Sequence, residues 1–252
     1  MDFDFQYNLM KQAGFILTQS LLTLKKEIKE GMELSQIDDL AATVIKDYGG
    51  EPAFKNYQAP FANKPYPYNI CVSLNDILVH GYPEKNKFIK DGDVVKLDLG
   101  VKYKGFYADA ALTLTIGEVS KDVKQLIDVT CQALKNAIAV ALPNNTLGDI
   151  GWVIESTIED AGFKAIKNLC GHDIGNYLHG DLQVLNFGNP NEGPKLKPKM
   201  FLAIEPMASF SSDVAEEVDE YVFRTSDGKV GVHFEATIVI LDNKNEVLTP
   251  IV

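Results

Sequence analysis

Arginine is nearly absent: the 252-residue chain has one, Arg224, and its 24 basic residues are outnumbered by 35 acidic ones, for a formal charge of −11. A nucleic-acid groove needs clustered lysine and arginine along one face, so no such groove is expected, and the acidic excess is read as serving solubility. Cysteine is scarce too. Cys71, Cys131 and Cys170 are odd in number, widely spaced and in no CxxC pair, which argues against a disulfide framework and a thiolate zinc site and fits a reducing compartment. No apolar run approaches the ~18 residues of a membrane span. The N-terminus MDFDFQYNLM lacks the basic-then-apolar layout of a secretion signal. A soluble protein of the cytoplasm is expected, with no membrane partner. Histidine numbers only four, so the place of each is informative.

What is present is an ordinary globular balance, 46% hydrophobic and 23% charged, in a chain long enough for one large domain or two fused halves. Apolar residues at helical spacing predict a helix over 5 to 29, and a second over 35 to 48, opened by a Ser35/Asp38 capping box and closed by Gly49 and Gly50. Residues 51 to 68 (EPAFKNYQAPFANKPYPY) form a loop too long to be a mere connector, hence a candidate for lining something. Strands are predicted at YNICVSL, ILVH and a hairpin over 94 to 114. Two more helices follow at about 120 to 142 and 146 to 161, the latter opened by a Thr146/Asp149 box, then strands at 201 to 205, 219 to 224 and 230 to 241. The order of two helices and then strands occurs twice, which suggests an internal duplication. No linker separates the halves, so residues 1–252 read as a single α+β domain.

Four acids interrupt this pattern. Asp98 and Asp109 lie inside the apolar runs of the hairpin VVKLDLGVKYKGFYADAALTL; Glu205 ends the run FLAIEPM; Glu235 lies within VGVHFEATIVIL, on the side of His233 and Thr237. If the hairpin turn is centred between Tyr103 and Lys104, Asp98 and Asp109 face each other. A turn slipped by one residue, or a bulge at Gly105, would spoil that pairing. Burying such carboxylates costs several kcal/mol per ion unless a cation neutralises them, and Lys96 is the one basic residue in the apolar runs immediately around them, Lys102 and Lys104 lying at the hairpin turn. A metal site is the economical answer; hydrogen-bonded networks without metal are the competing one. Taken singly, His80, His172, His179 and His233 are each more readily packed or surface residues than ligands. Placed jointly beside the acids, four carboxylates and an imidazole make a set that suits two divalent first-row ions about 3.5 to 4 Å apart.

Read in order, HGYP, DVVKLDLGVKYKGFYAD, CGHDIG followed by LH, IEPM and HFEATIV resemble the methionine aminopeptidase family, over about residues 5 to 250. The resemblance implies the pita-bread fold, two pseudo-symmetric halves with a curved, largely antiparallel sheet covered by helices around a dinuclear site. It implies the ligands Asp98, Asp109, His172, Glu205 and Glu235, two ions drawn from cobalt, manganese, iron and zinc, and substrate-facing roles for His80 and His179. The interval from His179 to Glu205 lacks the long helical insertion of type II enzymes, whereas KLDLG and FYAD have a type II or proline-peptidase flavour. The activity implied is removal of N-terminal methionine from peptides and nascent chains through a metal-bridging hydroxide. Glu205 would shuttle the proton, His179 would stabilise the developing oxyanion and His80 would contact the leaving nitrogen. By alignment the pocket for the first side chain would use Tyr66, Cys71, Leu178 and Tyr221, for each of which core packing is the competing reading. Two departures stand out: type I enzymes usually read HEEP where this chain has His179, Gly180, Asp181 and Leu182, and His where it has Ala236. The rivals are an X-Pro aminopeptidase or prolidase-like peptidase, which usually carries an additional N-terminal domain, and a non-catalytic interaction protein, whose expected mark is a lost ligand. A monomer is expected.

Overall fold

The computed structural model describes residues 2–60 and 62–251; the two end residues of the expected domain, and Phe61 of the 51 to 68 loop, lie outside them. The helices are α1 (Phe3–Glu27), α2 (Leu34–Asp47), α3 (Lys121–Val140) and α4 (Leu147–Glu159). In α1, Ala13, Ile16, Leu17, Leu21 and Leu24 are buried at the spacing of one helix face. The predicted box at α4 is present: the Thr146 N–H donates to Asp149 Oδ2 at 2.7 Å, and the Asp149 N–H to Thr146 Oγ1 at 3.2 Å.

The start of α2 differs from the expected Ser35/Asp38 box. Its cap is Glu33, whose N–H donates to Gln36 Oε1 at 3.0 Å. Asp38 is committed elsewhere. Its carboxylate accepts Asn69 N–H at 2.6 Å and the Asn69 side-chain amide at 2.7 Å, pinning the segment that leads into the strand Cys71–Leu74.

A nine-stranded sheet runs in the order Glu51–Pro52, Val94–Tyr103, Phe106–Thr115, Glu235–Ile240, Phe201–Ile204, Cys170–Asp173, Gln183–Leu185, with Cys71–Leu74 and Asn245–Val247 as side branches. All its ladders are antiparallel. Helix α1 packs with the 94–115 hairpin and α2 with α1 and Glu51–Pro52, while α3 and α4 pack with each other and with the strands of the second half. Two helix-plus-strand halves therefore meet where Phe106–Thr115 pairs Glu235–Ile240. This is the α+β body of two halves that the repeated element order suggests, and the pita-bread fold that the family resemblance implies.

The hairpin register corrects the expected pairing. Tyr103 pairs Phe106, and Lys104 and Gly105 form a two-residue turn with φ of 48° and 87°, the left-handed pair that matches strand twist. Asp98 therefore faces Ala111, and Asp109 faces Gly100, so the two aspartates are diagonal neighbours rather than opposed like charges. The 230 to 241 run is also not one strand. It breaks at Phe234, whose N–H donates to the carbonyl of Pro206 at 3.2 Å, so that Val232–His233 pairs Met207–Ser209 in a separate sheet. His233 thus does not share a strand with Glu235. Likewise the expected 219 to 224 strand is realised as Phe223–Thr225, paired with Ala215–Glu217 and Ile77–Val79.

Candidate metal centre

Five successive strands each bring one acid or imidazole to the same face. Residues opposite one another across a ladder share a face, as do residues two apart on a strand. Ala111 pairs both Asp98 and Glu235, and Asp109 lies two residues from it. Thr237, two beyond Glu235, pairs Ala203, which pairs His172; Glu205 follows Ala203 by two. The five therefore project together, and the residues between them are small. Alanine occupies 111 and 203, and glycine occupies 100 opposite Asp109, where an added Cβ would come within 2.6 Å of the Phe54 ring. Ala236 has the opposite parity and is fully buried in the helix-side core, so the departure there removes nothing from the ligand face.

Potential ligand atoms of Asp98, Asp109 and Glu235 lie within 4.8 Å of one another, and so do those of His172, Glu205 and Glu235; Glu235 belongs to both trios. Asp109, His172 and His179 make a third. His172 donates from Nδ1 to the Asp173 carbonyl at 3.0 Å, which turns Nε2 toward Glu235 Oε1 at 3.9 Å and Glu205 Oε1 at 4.0 Å. The Thr237 hydroxyl spans the point where two strands part, accepting Asp109 N–H at 2.9 Å and donating to the Asp109 carbonyl at 2.7 Å.

The carboxylates lack compensation. Asp98 Oδ1 and Asp109 Oδ1 are buried with no hydrogen-bond partner among the described residues. Lys96, the basic residue of the same run, is turned away, its Nζ donating to the Asn75 carbonyl at 2.6 Å. Burial pushes Asp98 up to about 7, with His233 opposing, and Glu205 up to about 7, with His172 opposing. Burial also raises Asp109 and Glu235, and the neighbouring carboxylates add to it. Orphaned buried carboxylate oxygens grouped with an imidazole fit a divalent-cation site, because charge of the opposite sign is what this arrangement lacks.

Above this floor the cavity is walled by Phe54, Tyr57, Ala59, Tyr66, Cys71 and Tyr221, with His80 and His179 at its polar end. Of the expected pocket residues, Tyr66, Cys71 and Tyr221 stand on the wall. Leu178, 2% exposed, packs in the same apolar cluster but behind the lining. Phe54, Tyr57 and Ala59 were not singled out as residues, although the long loop that carries them was. Tyr221 ties that loop down: its hydroxyl accepts Ala59 N–H at 3.3 Å and donates to the Lys64 carbonyl at 2.7 Å. Burial raises the Cys71 thiol well above its ordinary value, so Cys71 is a neutral wall rather than a nucleophile.

The histidines divide by environment. His80, in the left-handed region at φ 57°, has Nδ1 3.0 Å from the Tyr221 carbonyl, and burial lowers it to about 4. His179 keeps 37% of its side chain exposed, with Nδ1 2.9 Å from the Tyr57 hydroxyl and Nε2 4.0 Å from Asp109 Oδ2. His233 is buried behind Glu205, its Nε2 3.5 Å from Glu205 Oε2.

The family model for "Metallopeptidase family M24" matches residues 8–242. Methionine aminopeptidase 1 of Bacillus subtilis and methionine aminopeptidase of Clostridium perfringens are each 37% identical over 245 residues, 97% of this chain and 96% of theirs. The crystal structure of methionine aminopeptidase from Thermotoga maritima superposes with a TM-score of 0.92 at 38% identity, covering 97% of this chain and 96% of that one. Prolidase from Pyrococcus furiosus shares the fold, with a TM-score of 0.75 at 21% identity, and this chain spans 63% of its length. Sequence, fold and ligand face agree: the chain belongs to metallopeptidase family M24.

Proposed function

We propose that this protein is a divalent-metal-dependent aminopeptidase that removes N-terminal methionine from peptides and nascent chains, working as a single catalytic domain. The observation that carries the reading is the convergence of five potential ligands at the foot of an apolar-walled cavity. Asp98, Asp109, His172, Glu205 and Glu235 would hold two cations, Glu235 being common to both trios. Cobalt, manganese, iron and zinc all suit such donors, and availability selects among them. Bound there, the cations would lower the pKa of a water from 15.7 toward about 7, making it nucleophilic at neutral pH, and would offer a Lewis-acidic anchor for the substrate's free amino group.

The chain's own groups do the rest. Glu205, at the edge of the ligand cluster, is suited to take the proton of the attacking water and return it to the leaving nitrogen. With the Tyr57 hydroxyl as the donor in its 2.9 Å contact to His179 Nδ1, the ring proton would sit on Nε2, where it can be given to the substrate carbonyl oxygen as negative charge develops. His80 has the opposite tautomer. Its Nδ1–H donates to the Tyr221 carbonyl, so Nε2 is free to accept a hydrogen bond from the scissile N–H. The walls formed by Tyr66, Cys71, Tyr221 and Phe54 offer an apolar slot for an unbranched side chain such as methionine. The cavity is complete within one chain, which suits a monomer, and action on nascent chains belongs to the cytoplasm.

The test is a metal-supplemented assay on Met-Ala-Ser and Ala-Pro peptides. Methionine release that depends on added divalent ion and is abolished by chelation is expected. Preferential cleavage of Ala-Pro would replace this reading with a proline peptidase, and failure to bind any divalent ion would leave a non-catalytic protein of the same fold.

A further inference from the structure

The loop that carries His179 is wrapped around one side chain. Asp173 ends the Cys170–Asp173 strand, and its four hydrogen-bonding groups all face the following turn or the preceding ligand. The backbone carbonyl accepts the His172 Nδ1–H at 3.0 Å and the Gly180 N–H at 2.9 Å. The backbone N–H donates to the Leu182 carbonyl at 3.1 Å. The carboxylate accepts the Leu182 N–H at Oδ1, 2.8 Å, and the Tyr177 O–H at Oδ2, 2.6 Å. The Tyr177 phenol is pushed up to about 12, chiefly by that bond.

Gly180 completes the arrangement. A Cβ built at 180 would fall 2.2 Å from Asp173 Oδ1, 2.3 Å from Cγ and 2.4 Å from Oδ2, so the carboxylate fills the volume that any side chain there would need. The sequence after His179, Gly180–Asp181–Leu182 in place of HEEP, thus has a physical cause: an aspartate at 173 demands glycine at 180. Between these fixed points sits His179, following Leu178, which is buried at 2% and cannot shift without leaving the apolar cluster.

We propose that Asp173 is a positioning residue, whose carboxylate folds the 174–182 loop onto the space left by Gly180 and so sets how far His179 reaches over the ligand cluster. The inference rests on the role given to His179 above. It adds that this chain holds the histidine by a side-chain clamp, so Asp173 and Gly180 act as one unit that cannot be changed singly.

The experiment compares D173A, D173N, G180A, D173G and D173G/G180A with the parent for kcat, KM, metal content by elemental analysis, and amide hydrogen exchange at Leu182. A misplacement of about 1 Å can cost about 100-fold in rate. D173A is expected to lose turnover toward that size with KM changed far less and metal content unchanged, while Leu182 exchanges at least ~10-fold faster as its acceptor disappears. D173N, whose amide oxygen can still accept the Leu182 N–H, should restore most of the rate. G180A should be as impaired as D173A, yet add nothing in the D173G background, where the colliding carboxylate is gone. Unchanged Leu182 exchange in D173A, or a G180A penalty equal in both backgrounds, overturns the clamp. Faster exchange in D173A together with parental turnover in both D173A and His179→Ala would leave the clamp standing and refute the role of His179 instead.

Discussion

The floor of the cavity and its walls meet within a few ångströms, yet they are built in different ways. The floor is sheet. Four of its ligands sit on strands of this sheet and Glu205 one residue past the end of Phe201–Ile204, and antiparallel register puts them on one face. The walls come mostly from loops: 53–66 for Phe54, Tyr57, Ala59 and Tyr66, 174–182 for His179, and 218–222 for Tyr221, with Cys71 at the start of the Cys71–Leu74 strand the exception. There, side-chain hydrogen bonds to backbone replace a ladder, as Tyr221 does for the first loop and Asp173 for the second. The floor therefore holds concentrated charge in a frame with little freedom, whereas the walls hold neutral groups whose reach depends on single side chains. Ligands belong on the stiffer part, because charge uncompensated at fixed distance is what gives a cation its affinity.

The sharpest way to break the floor alone is Asp109→Asn. It removes a charge shared by two of the ligand trios and should cost both metal, read by elemental analysis, and turnover, by more than the roughly 10²- to 10³-fold typical of losing one oxyanion donor. A variant that still holds two ions would refute the ligand assignment. Breaking the wall alone, His80→Ala and His179→Ala should each keep the metal while losing about 10²-fold or more in kcat; a parental rate on a Met-Gly-Ser peptide would remove the residue from the mechanism.

Gly100→Ala strikes the seam between the two regions, since its Cβ would press on the Phe54 ring at 2.6 Å. An overpacking cost of about 1 to 3 kcal/mol in thermal or urea unfolding is expected, with looser substrate binding. A fourth test uses pH. Asp98 and Glu205 sit at about 7 in the folded protein against about 4 when unfolded, so their protonation contributes stability that is complete below about pH 4 and is lost as pH rises through 7. The melting temperature of chelator-treated protein should thus fall between about pH 4 and 7 and level off above, and divalent ion should remove that fall. A flat profile without metal would show that the carboxyls are not held uncompensated. The smallest effect belongs to Tyr57→Phe, which removes one hydrogen bond worth about 1 kcal/mol and should lower kcat about fivefold by freeing the tautomer of His179.

Legibility in the sequence followed the same division. Acids inside period-two apolar runs marked the floor, since burial of a carboxylate is anomalous wherever it occurs. The walls gave no such anomaly: an aromatic in a Pro- and Asn-rich loop looks alike whether it lines a cavity or covers a core. Tyr57 and Phe54 were therefore invisible as individuals, and Leu178 was assigned to the lining although it packs behind it. Asp38 was read as a local cap because Ser-x-x-Asp is the usual form of one, while its partners, Asn69 and Ile70, lie 31 and 32 residues away.

By itself the sequence determined the four helices, the 94–115 hairpin, the repeated order of the two halves and the set of buried acids, because periodicity and burial preference are local properties of the chain. Only the tertiary structure decided the hairpin register, the switch of sheet at Phe234, the turning of Lys96 toward Asn75 and the folding of the His179 loop around Asp173. Each of these is a choice between arrangements that differ by one residue of slip or one hydrogen-bond partner. Contacts between distant segments settle such choices, since a turn shifted by one residue keeps each side chain on its face while changing its partner, and only the packed whole distinguishes the two.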